Sequence, residues 1–235
     1  MADWAAKRFW KKSDVVDVDG GFGIVLDDRP LRTPAKSSLV LPTRDMATEV
    51  AREWDAQDGK IEPLTMPFTR SANAAVDKVA TQHAEVVDLL AAYGDADLIC
   101  YRADGPEGLV HRQAEHWDPL VDWAATDLKA PLCVQLGVMH EPQAPDSLAR
   151  LRTQVAALDA FQLTAFHDLV SLSGSLVIGL AAIKGFETPE QLWTISRIDE
   201  DWQIEQWGED EEASELAETK RNSFLHAHRF YTLSV

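Results

Sequence analysis

The sequence predicts an α+β fold, with a small N-terminal β-hairpin domain at residues 1–63 and a larger, mainly α-helical domain at residues 64–235. Turn-forming residues separate short apolar runs in the first part, whereas apolar residues recur at helical spacing in the rest. Of the 235 residues, 46% are hydrophobic. That composition is enough to bury a sizeable core in one large or two modest domains.

Turn sequences divide the first third of the chain into short strands. The turns at 19–21 and 27–30 separate apolar runs at 15–18, 22–26 and 39–41. Aspartate, glycine and proline favour tight turns between antiparallel strands. The glycines of the first turn lack the spacing of a dinucleotide or phosphate loop. We therefore predict two or three short hairpins here.

Helical signals dominate after Pro42. Thr43 is a suitable N-cap, and Met46, Val50 and Trp54 recur every four residues, which places them on one inward face. The sequence Thr-Pro-Glu-Gln at 188–191 is a capping box and predicts the start of the last long helix. Helices are predicted over 68–79, 82–100, 107–128, 147–158, 160–184 and 189–218, with a short strand within 132–138.

Residues 163–184 are apolar on nearly every side, which is typical of a helix in the centre of a bundle. Gly174 and Gly179 predict close helix packing, because glycine is otherwise unfavourable inside a helix. Ser173 and Ser175 do not lie in the Gly-x-Ser-x-Gly sequence of a nucleophile elbow. We interpret these serines as structural.

The chain is strongly acidic, with 22 Lys and Arg against 39 Asp and Glu and a net charge of −17. Such a charge repels nucleic acid and anionic lipid and favours a basic partner surface. The apolar run at 169–183 is shorter than the roughly 20 residues that span a bilayer. We predict no nucleic-acid binding, no membrane insertion, and a monomer when free.

Few residues suggest a special compartment or covalent chemistry. Cys100 and Cys133 are far apart in apolar sequence, so we expect no disulfide and a reducing compartment. The N-terminal residues show no secretory signal, and we expect a cytoplasmic protein.

Catalytic and metal-binding patterns are weak. His111 and His116 are five residues apart, not the four that a zincin helix requires. His167 beside Asp168 is the one pair able to orient a base. We therefore predict no metal, no cofactor, no catalytic residue and no enzymatic activity. The alternative is a small-molecule hydrolase that uses this pair or an unrecognised carboxylate site.

An acidic run, RIDEDWQIEQWGEDEEASELAE, occupies residues 197–218. It holds ten carboxylates and, after Arg197, no basic residue, with Trp202 and Trp207 inside it. Tryptophan is enriched at binding hot spots, and carboxylates recognise arginine and lysine. These residues suggest a protein-docking helix. The alternative is an ordinary amphipathic helix that buries its indoles and solvates its charges.

Six segments occur in an order and spacing that together resemble a known protein family. They are GGFGIVLDDRPLRTPAKSSLVLPT at 20–43, EWDAQ at 53–57, TMPFTRSAN at 65–73, DADLICYR at 95–102, WDPLVDWA at 117–124 and RIDEDWQIEQWGEDE at 197–211. The family is that of the assembly chaperones that bind the alpha subunit of the ATP synthase catalytic sector in mitochondria and alphaproteobacteria.

The resemblance implies a β-rich N-terminal domain, a larger helical domain and a chaperone function. The expected client is the unassembled alpha subunit, whose aggregation the chaperone prevents before the hexamer forms. No ATP hydrolysis is implied. The resemblance also implies a cytoplasmic location for a bacterial member and the mitochondrial matrix for eukaryotic relatives.

The resemblance further implies roles for individual residues. The family pattern Trp-Gly-x-x-Glu is matched by Trp207, Gly208 and Glu211, and we expect Glu211 to contact the client. Some members follow the glutamate with His-Asp, where this chain has Ser214-Glu215. The predicted client-binding residues are Trp202, Glu205, Trp207, Gly208, Asp210 and Glu211, and the predicted fold-holding residues are Trp54, Asp55, Trp117 and Asp118.

Overall fold

The computed structural model describes residues 7–235, and the chain forms two compact units. Of the described residues, the first unit comprises 7–83 with Asp159–Ala165 and Arg229–Val235, and the second comprises Ala84–Leu158 and Phe166–His228. The predicted α+β class is confirmed, because a small antiparallel sheet precedes a mainly helical remainder. A boundary between independent domains at residues 63 and 64 stays a prediction.

The first unit begins with a three-stranded antiparallel sheet. Its strands follow chain order as β1 (Ser13–Val18), β2 (Gly21–Leu26) and β3 (Arg29–Pro30). The predicted run at 39–41 contributes a single bridge between Leu41 and Phe22. A side chain at Gly21 would place its Cβ 2.3 Å from the Leu41 carbonyl oxygen, so only glycine lets the two segments approach this closely.

The first helix, α1 (Arg44–Asp55), begins as predicted. The Thr43 hydroxyl accepts a hydrogen bond from the Met46 N–H at 3.2 Å, which confirms the N-cap. Met46 and Val50 are fully buried, and Trp54 is half-buried with its ring centroid 5.2 Å from that of Trp10. The predicted helical face therefore packs on the core of this unit.

A carboxylate on α1 caps the second helix, α2 (Pro67–Ala74). Glu53 accepts hydrogen bonds from the Phe68 N–H at 2.6 Å and from the Thr69 N–H and hydroxyl at 2.7 Å each. Burial raises the pKa of Glu53, although these donors favour its ionised form. The contact ties the EWDAQ segment to the TMPFTRSAN segment. Helical turns continue from α2 through Ala75–Val79.

Most of the later chain is helical, with a short parallel strand pair. Two 3-10 turns span Ala92–Ala96 and Leu98–Cys100, and the strands β4 (Tyr101–Arg102) and β5 (Gln135–Leu136) pair in parallel. The strand predicted within 132–138 is thus confirmed. The helices are α3 (His83–Ala91), α4 (Glu107–Thr126), α5 (Pro145–Ala156), α6 (Ala160–Ser173), α7 (Leu176–Lys184), α8 (Pro189–Ser196), α9 (Ile198–Trp207) and α10 (Glu211–Ser234).

The predicted continuous helix over 160–184 is wrong, because the chain breaks between α6 and α7. Gly174 adopts a left-handed φ of +73°, and the Ser175 hydroxyl accepts from the Ile178 N–H at 2.9 Å to cap α7. Gly174 is therefore a turn residue. Gly179 is a packing residue as predicted, since a Cβ there would lie 2.7 Å from the Val170 Cγ2 atom.

The predicted helix over 189–218 is also interrupted, first at Arg197 and again after Trp207. Its start is correct, because the Thr188 hydroxyl accepts from the Gln191 N–H at 3.3 Å. The helix predicted over 82–100 ends at Ala91 and gives way to 3-10 turns, and α10 continues to Ser234, beyond the predicted limit.

The second unit is built around Trp117 on α4. Trp117 is fully buried, and its indole N–H donates to the Ile195 carbonyl oxygen at 2.9 Å. α4 packs against α7 and α9, and α7 packs against α8. Among residues 7–235, no helix combines the length and the apolar character that crossing a bilayer requires.

Candidate protein-docking site

The most conspicuous predicted docking residues lie where α9 ends and α10 begins. Gly208 has a φ of +94°, which stops α9 after Trp207. The Asp210 carboxylate accepts from the Ala213 N–H at 2.8 Å and so caps α10. Gly208 and Asp210 therefore shape this turn. We call residues 207–212 the acidic corner.

The acidic corner combines an exposed indole with uncompensated charge. Trp207 is 80% exposed, and Glu209, Glu211 and Glu212 are exposed around it. Within the described chain, the structure gives these three carboxylates no ion-pair or hydrogen-bond partner. Glu211 and Glu212 lie in the first turn of α10, where the helix dipole favours negative charge. The corner thus presents an apolar surface beside negative charge.

Two other predicted docking residues are engaged within the chain by a single arginine on α4. Trp202 lies over Gly108, and the Arg112 guanidinium is 4.9 Å from its ring centroid. The two Glu205 carboxylate oxygens accept from Arg112 at 2.8 Å each. This hydrogen-bonded pair lowers the pKa of Glu205 and raises that of Arg112. Trp202 and Glu205 therefore hold α9 against α4.

The remaining carboxylates of α9 also have partners nearby. Asp199 accepts from the Gln113 side-chain amide at 2.6 Å, and Glu200 and Asp201 lie 3.3 and 4.0 Å from the Arg197 guanidinium. Like charges along one helix are destabilising unless they are compensated. The first half of the acidic run is thus compensated internally, and the unpaired charge is concentrated at the acidic corner.

An open groove separates α9 from α10 next to the acidic corner. Ile204 lines it and is 37% exposed, and Leu216 on α10 is 55% exposed. The lining residues are Trp193, Thr194, Arg197, Asp201, Ile204, Glu209, Ser214, Ala217, Glu218 and Arg221. The acidic corner therefore adjoins a mixed surface that offers both apolar and charged contacts.

The predicted fold-holding residues all contact other residues of their own unit. Trp54 packs on Trp10, and the Asp55 carboxylate lies 3.2 Å from the Arg8 guanidinium. The Asp118 carboxylate accepts from the buried Arg102 at 2.7 Å. Trp117 is buried as described above. These placements agree with a structural role, which stays a prediction for all four.

Asp97 is a buried carboxylate that the sequence analysis missed. It is fully buried and accepts hydrogen bonds from the Val177 N–H at 3.0 Å, the Ile99 N–H at 3.3 Å and the Ser175 side chain. Burial raises its pKa from 3.8 to about 6, against the opposing effect of these donors. Asp97 joins the DADLICYR segment to the start of α7. Its place within that segment is the only feature of the sequence that could have drawn attention to it.

The pair considered for hydrolysis lies on the surface of α6. His167 Nδ1 and Asp168 Oδ1 are 3.0 Å apart, and both side chains are about half exposed. The hydrogen bond to Asp168 raises the pKa of His167. Neither residue lines the groove described above. Across residues 7–235, no three His, Cys, Asp or Glu side chains are grouped so that they could hold a metal ion.

Comparisons with known proteins agree on one family. Residues 7–125 match the family model described as ATP12 chaperone protein. The mitochondrial protein atp12 of Schizosaccharomyces pombe is 26% identical over 223 residues, which cover 89% of this chain and 76% of that protein.

Solved structures give the same result. The crystal structure of Atp12 from Paracoccus denitrificans is 49% identical, with a TM-score of 0.96 over 99% of this chain and 100% of that one. A crystal structure of a protein from Agrobacterium tumefaciens is 41% identical, with a TM-score of 0.91 over 97% of this chain and 85% of that one.

Proposed function

Since this chain belongs to the ATP12 chaperone family and is an ATP synthase assembly chaperone, we propose that its client is the unassembled alpha subunit of the catalytic sector. A subunit of an obligate oligomer exposes an apolar interface until its partners arrive. A protein that binds the exposed form lowers the concentration available for aggregation. The chaperone acts by binding alone, as a cytoplasmic monomer without cofactor or catalysis.

The observation that carries this proposal is the acidic corner. Trp207 is 80% exposed, although exposing an indole to water is unfavourable. A protein partner with an apolar pocket for the indole removes that cost. Arginine or lysine beside such a pocket would pair with Glu209, Glu211 and Glu212. The corner therefore suits a client surface that is apolar at its centre and basic at its edge.

Glu211→Lys is expected to weaken binding of purified alpha subunit by about tenfold or more, because it replaces attraction by repulsion at the centre of the corner. The same variant should fold normally, since Glu211 is exposed and has no side-chain partner in residues 7–235. Binding is measured by titration at low and high salt. The wild-type affinity should fall as salt rises, and the variant should show a smaller salt dependence.

Glu85→Lys is the matched control. Glu85 is also exposed in the first turn of a helix, α3, and its replacement changes the net charge by the same amount. It should leave the affinity within about twofold of the wild type, since it lies outside the corner. Equal losses of affinity in the two variants would show that binding depends on the net charge of the chain and not on the acidic corner. If the wild type did not bind alpha subunit at all, alpha subunit would be ruled out as the client.

A further inference from the structure

A second exposed apolar surface lies on the segment that contains β5. Val134, Leu136, Val138 and Met139 are 45%, 71%, 90% and 78% exposed. Four large apolar side chains within six residues form an unusual concentration at a protein surface. We call residues 134–139 the β5 edge.

The backbone of the β5 edge is paired on one side only. β4 pairs with β5 in parallel, Arg102 lies opposite Leu136, and the Gly137 N–H donates to the Arg102 carbonyl oxygen at 2.8 Å. In a parallel pair, a residue such as Arg102 bonds to the neighbours of the residue opposite it. The N–H and C=O of Leu136 therefore point away from β4. Within residues 7–235, the structure gives the Leu136 backbone no hydrogen-bond partner on that outer side. Leu136 therefore offers an unpaired N–H and C=O at the outer side of the two-residue strand β5, and the chain bends at Gly137, whose φ is +75°.

Side-chain contacts hold this segment in place. The Gln143 amide accepts from the Cys133 N–H at 2.7 Å and donates to the Cys133 carbonyl oxygen at 2.8 Å. The Ser147 hydroxyl donates to the Pro131 carbonyl oxygen at 2.7 Å, and His140 contacts the Tyr101 hydroxyl at 2.9 Å. A strand edge that is already ordered loses little entropy when a partner strand pairs with it.

We propose that the β5 edge binds an extended, apolar segment of the client, which adds to β5 as a further strand. Main-chain hydrogen bonds at Leu136 supply affinity, and the exposed side chains of the edge supply apolar contact. This inference rests on the proposed function for the identity of the client and adds a second contact surface to the acidic corner. The segment bound is one with alternating apolar side chains that the assembled client covers.

A second copy of this chain is a poorer occupant than a client. The charge of −17 on each copy opposes self-association. A specific stable dimer buries at least about 1,200 Å² in total, and an edge of six residues supplies only a small part of that area. Exposed Glu141, whose N–H donates to the Gln135 side chain at 3.0 Å, and exposed Asp104, two residues after β4, favour a client segment with basic flanks. The edge thus fits one part of a larger interface with a basic partner.

The test uses the full chain and two probes, a synthetic peptide of alternating threonine and valine and the purified alpha subunit. Peptide binding is followed by NMR of the backbone amides. We expect the peptide to shift the amide signals of Val134, Leu136 and Val138 and to slow their hydrogen exchange. Leu136→Gln keeps the main chain but removes the apolar contact, so it should reduce these shifts at a given peptide concentration and weaken alpha-subunit binding by about tenfold. Leu64→Gln is the matched control, since Leu64 is 84% exposed in the first unit.

The peptide result decides the inference, and the subunit result decides the proposed client. Peptide shifts that lie elsewhere, that are absent, or that are undiminished in Leu136→Gln would overturn the inference. It would also be overturned if the wild type bound alpha subunit and Leu136→Gln bound it equally well. Peptide binding at the edge without any binding of alpha subunit would support the edge as a strand-binding surface and reject the proposed client.

Discussion

Replacing Trp117 with alanine is expected to lower the free energy of unfolding by about 3–5 kcal/mol. The Trp117 side chain is fully buried, and the Arg102 guanidinium lies 5.4 Å from its ring centroid. Its removal leaves a cavity between packed helices and an unsatisfied carbonyl at Ile195, whose hydrogen bond from the indole is lost. Urea unfolding followed by circular dichroism measures the change.

Trp207→Ala is the matched control for this substitution. The same side chain is removed, but at a position that is 80% exposed, so we expect the free energy of unfolding to stay within about 0.5 kcal/mol of the wild type. The two variants separate the structural tryptophan from the docking tryptophan. A large loss of stability in Trp207→Ala, or a negligible one in Trp117→Ala, would contradict the assignment.

The second large effect concerns Asp97 and pH. Its folded-state pKa of about 6 lies above the ordinary value of 3.8, so the folded protein binds this proton more tightly than the unfolded chain does. The contribution of Asp97 to stability therefore increases as pH falls through about 6 toward about 4, and it decreases as pH rises. Between pH of about 7 and about 4.5, the gain is about 2 kcal/mol.

Asp97→Asn tests this dependence, because asparagine does not titrate. We expect the wild type to gain about 2 kcal/mol relative to Asp97→Asn when the pH is lowered over that range, measured by urea unfolding at each pH. Taking the difference between the two proteins cancels the titration of other groups. Asp104→Asn, at an exposed aspartate, is the matched control for the change from aspartate to asparagine. A pH-independent difference for Asp97→Asn would contradict the raised pKa.

Local rules in the sequence account for much of the fold. The strand turns and the Thr43 and Thr188 caps each involve residues within a few positions of one another, so their chemistry is visible in the sequence. The break at Gly174 is hidden in the sequence because apolar side chains continue on both sides of it. Such periodicity cannot distinguish one buried helix from two consecutive helices.

The candidate site was only partly predictable. The acidic run and its tryptophans are recognisable in the sequence. Which of them are engaged within the chain depends on Arg112, which is 93 residues from Glu205. Nothing in the residues around Asp97 indicates its burial, and nothing around the β5 edge indicates its exposure. Burial and exposure result from tertiary packing, so the neighbouring residues in the sequence do not determine either of them.

Gln143 illustrates a constraint that a list of core residues would overlook. Its carboxamide takes the place of a peptide group from a neighbouring strand, since it both receives and gives a hydrogen bond at Cys133. Glutamate, of equal length, would place a second acceptor beside the Cys133 carbonyl oxygen. Leucine would leave the Cys133 N–H and C=O without a hydrogen-bond partner. Even deamidation, a change of a single functional group without loss of size, would therefore loosen this anchor.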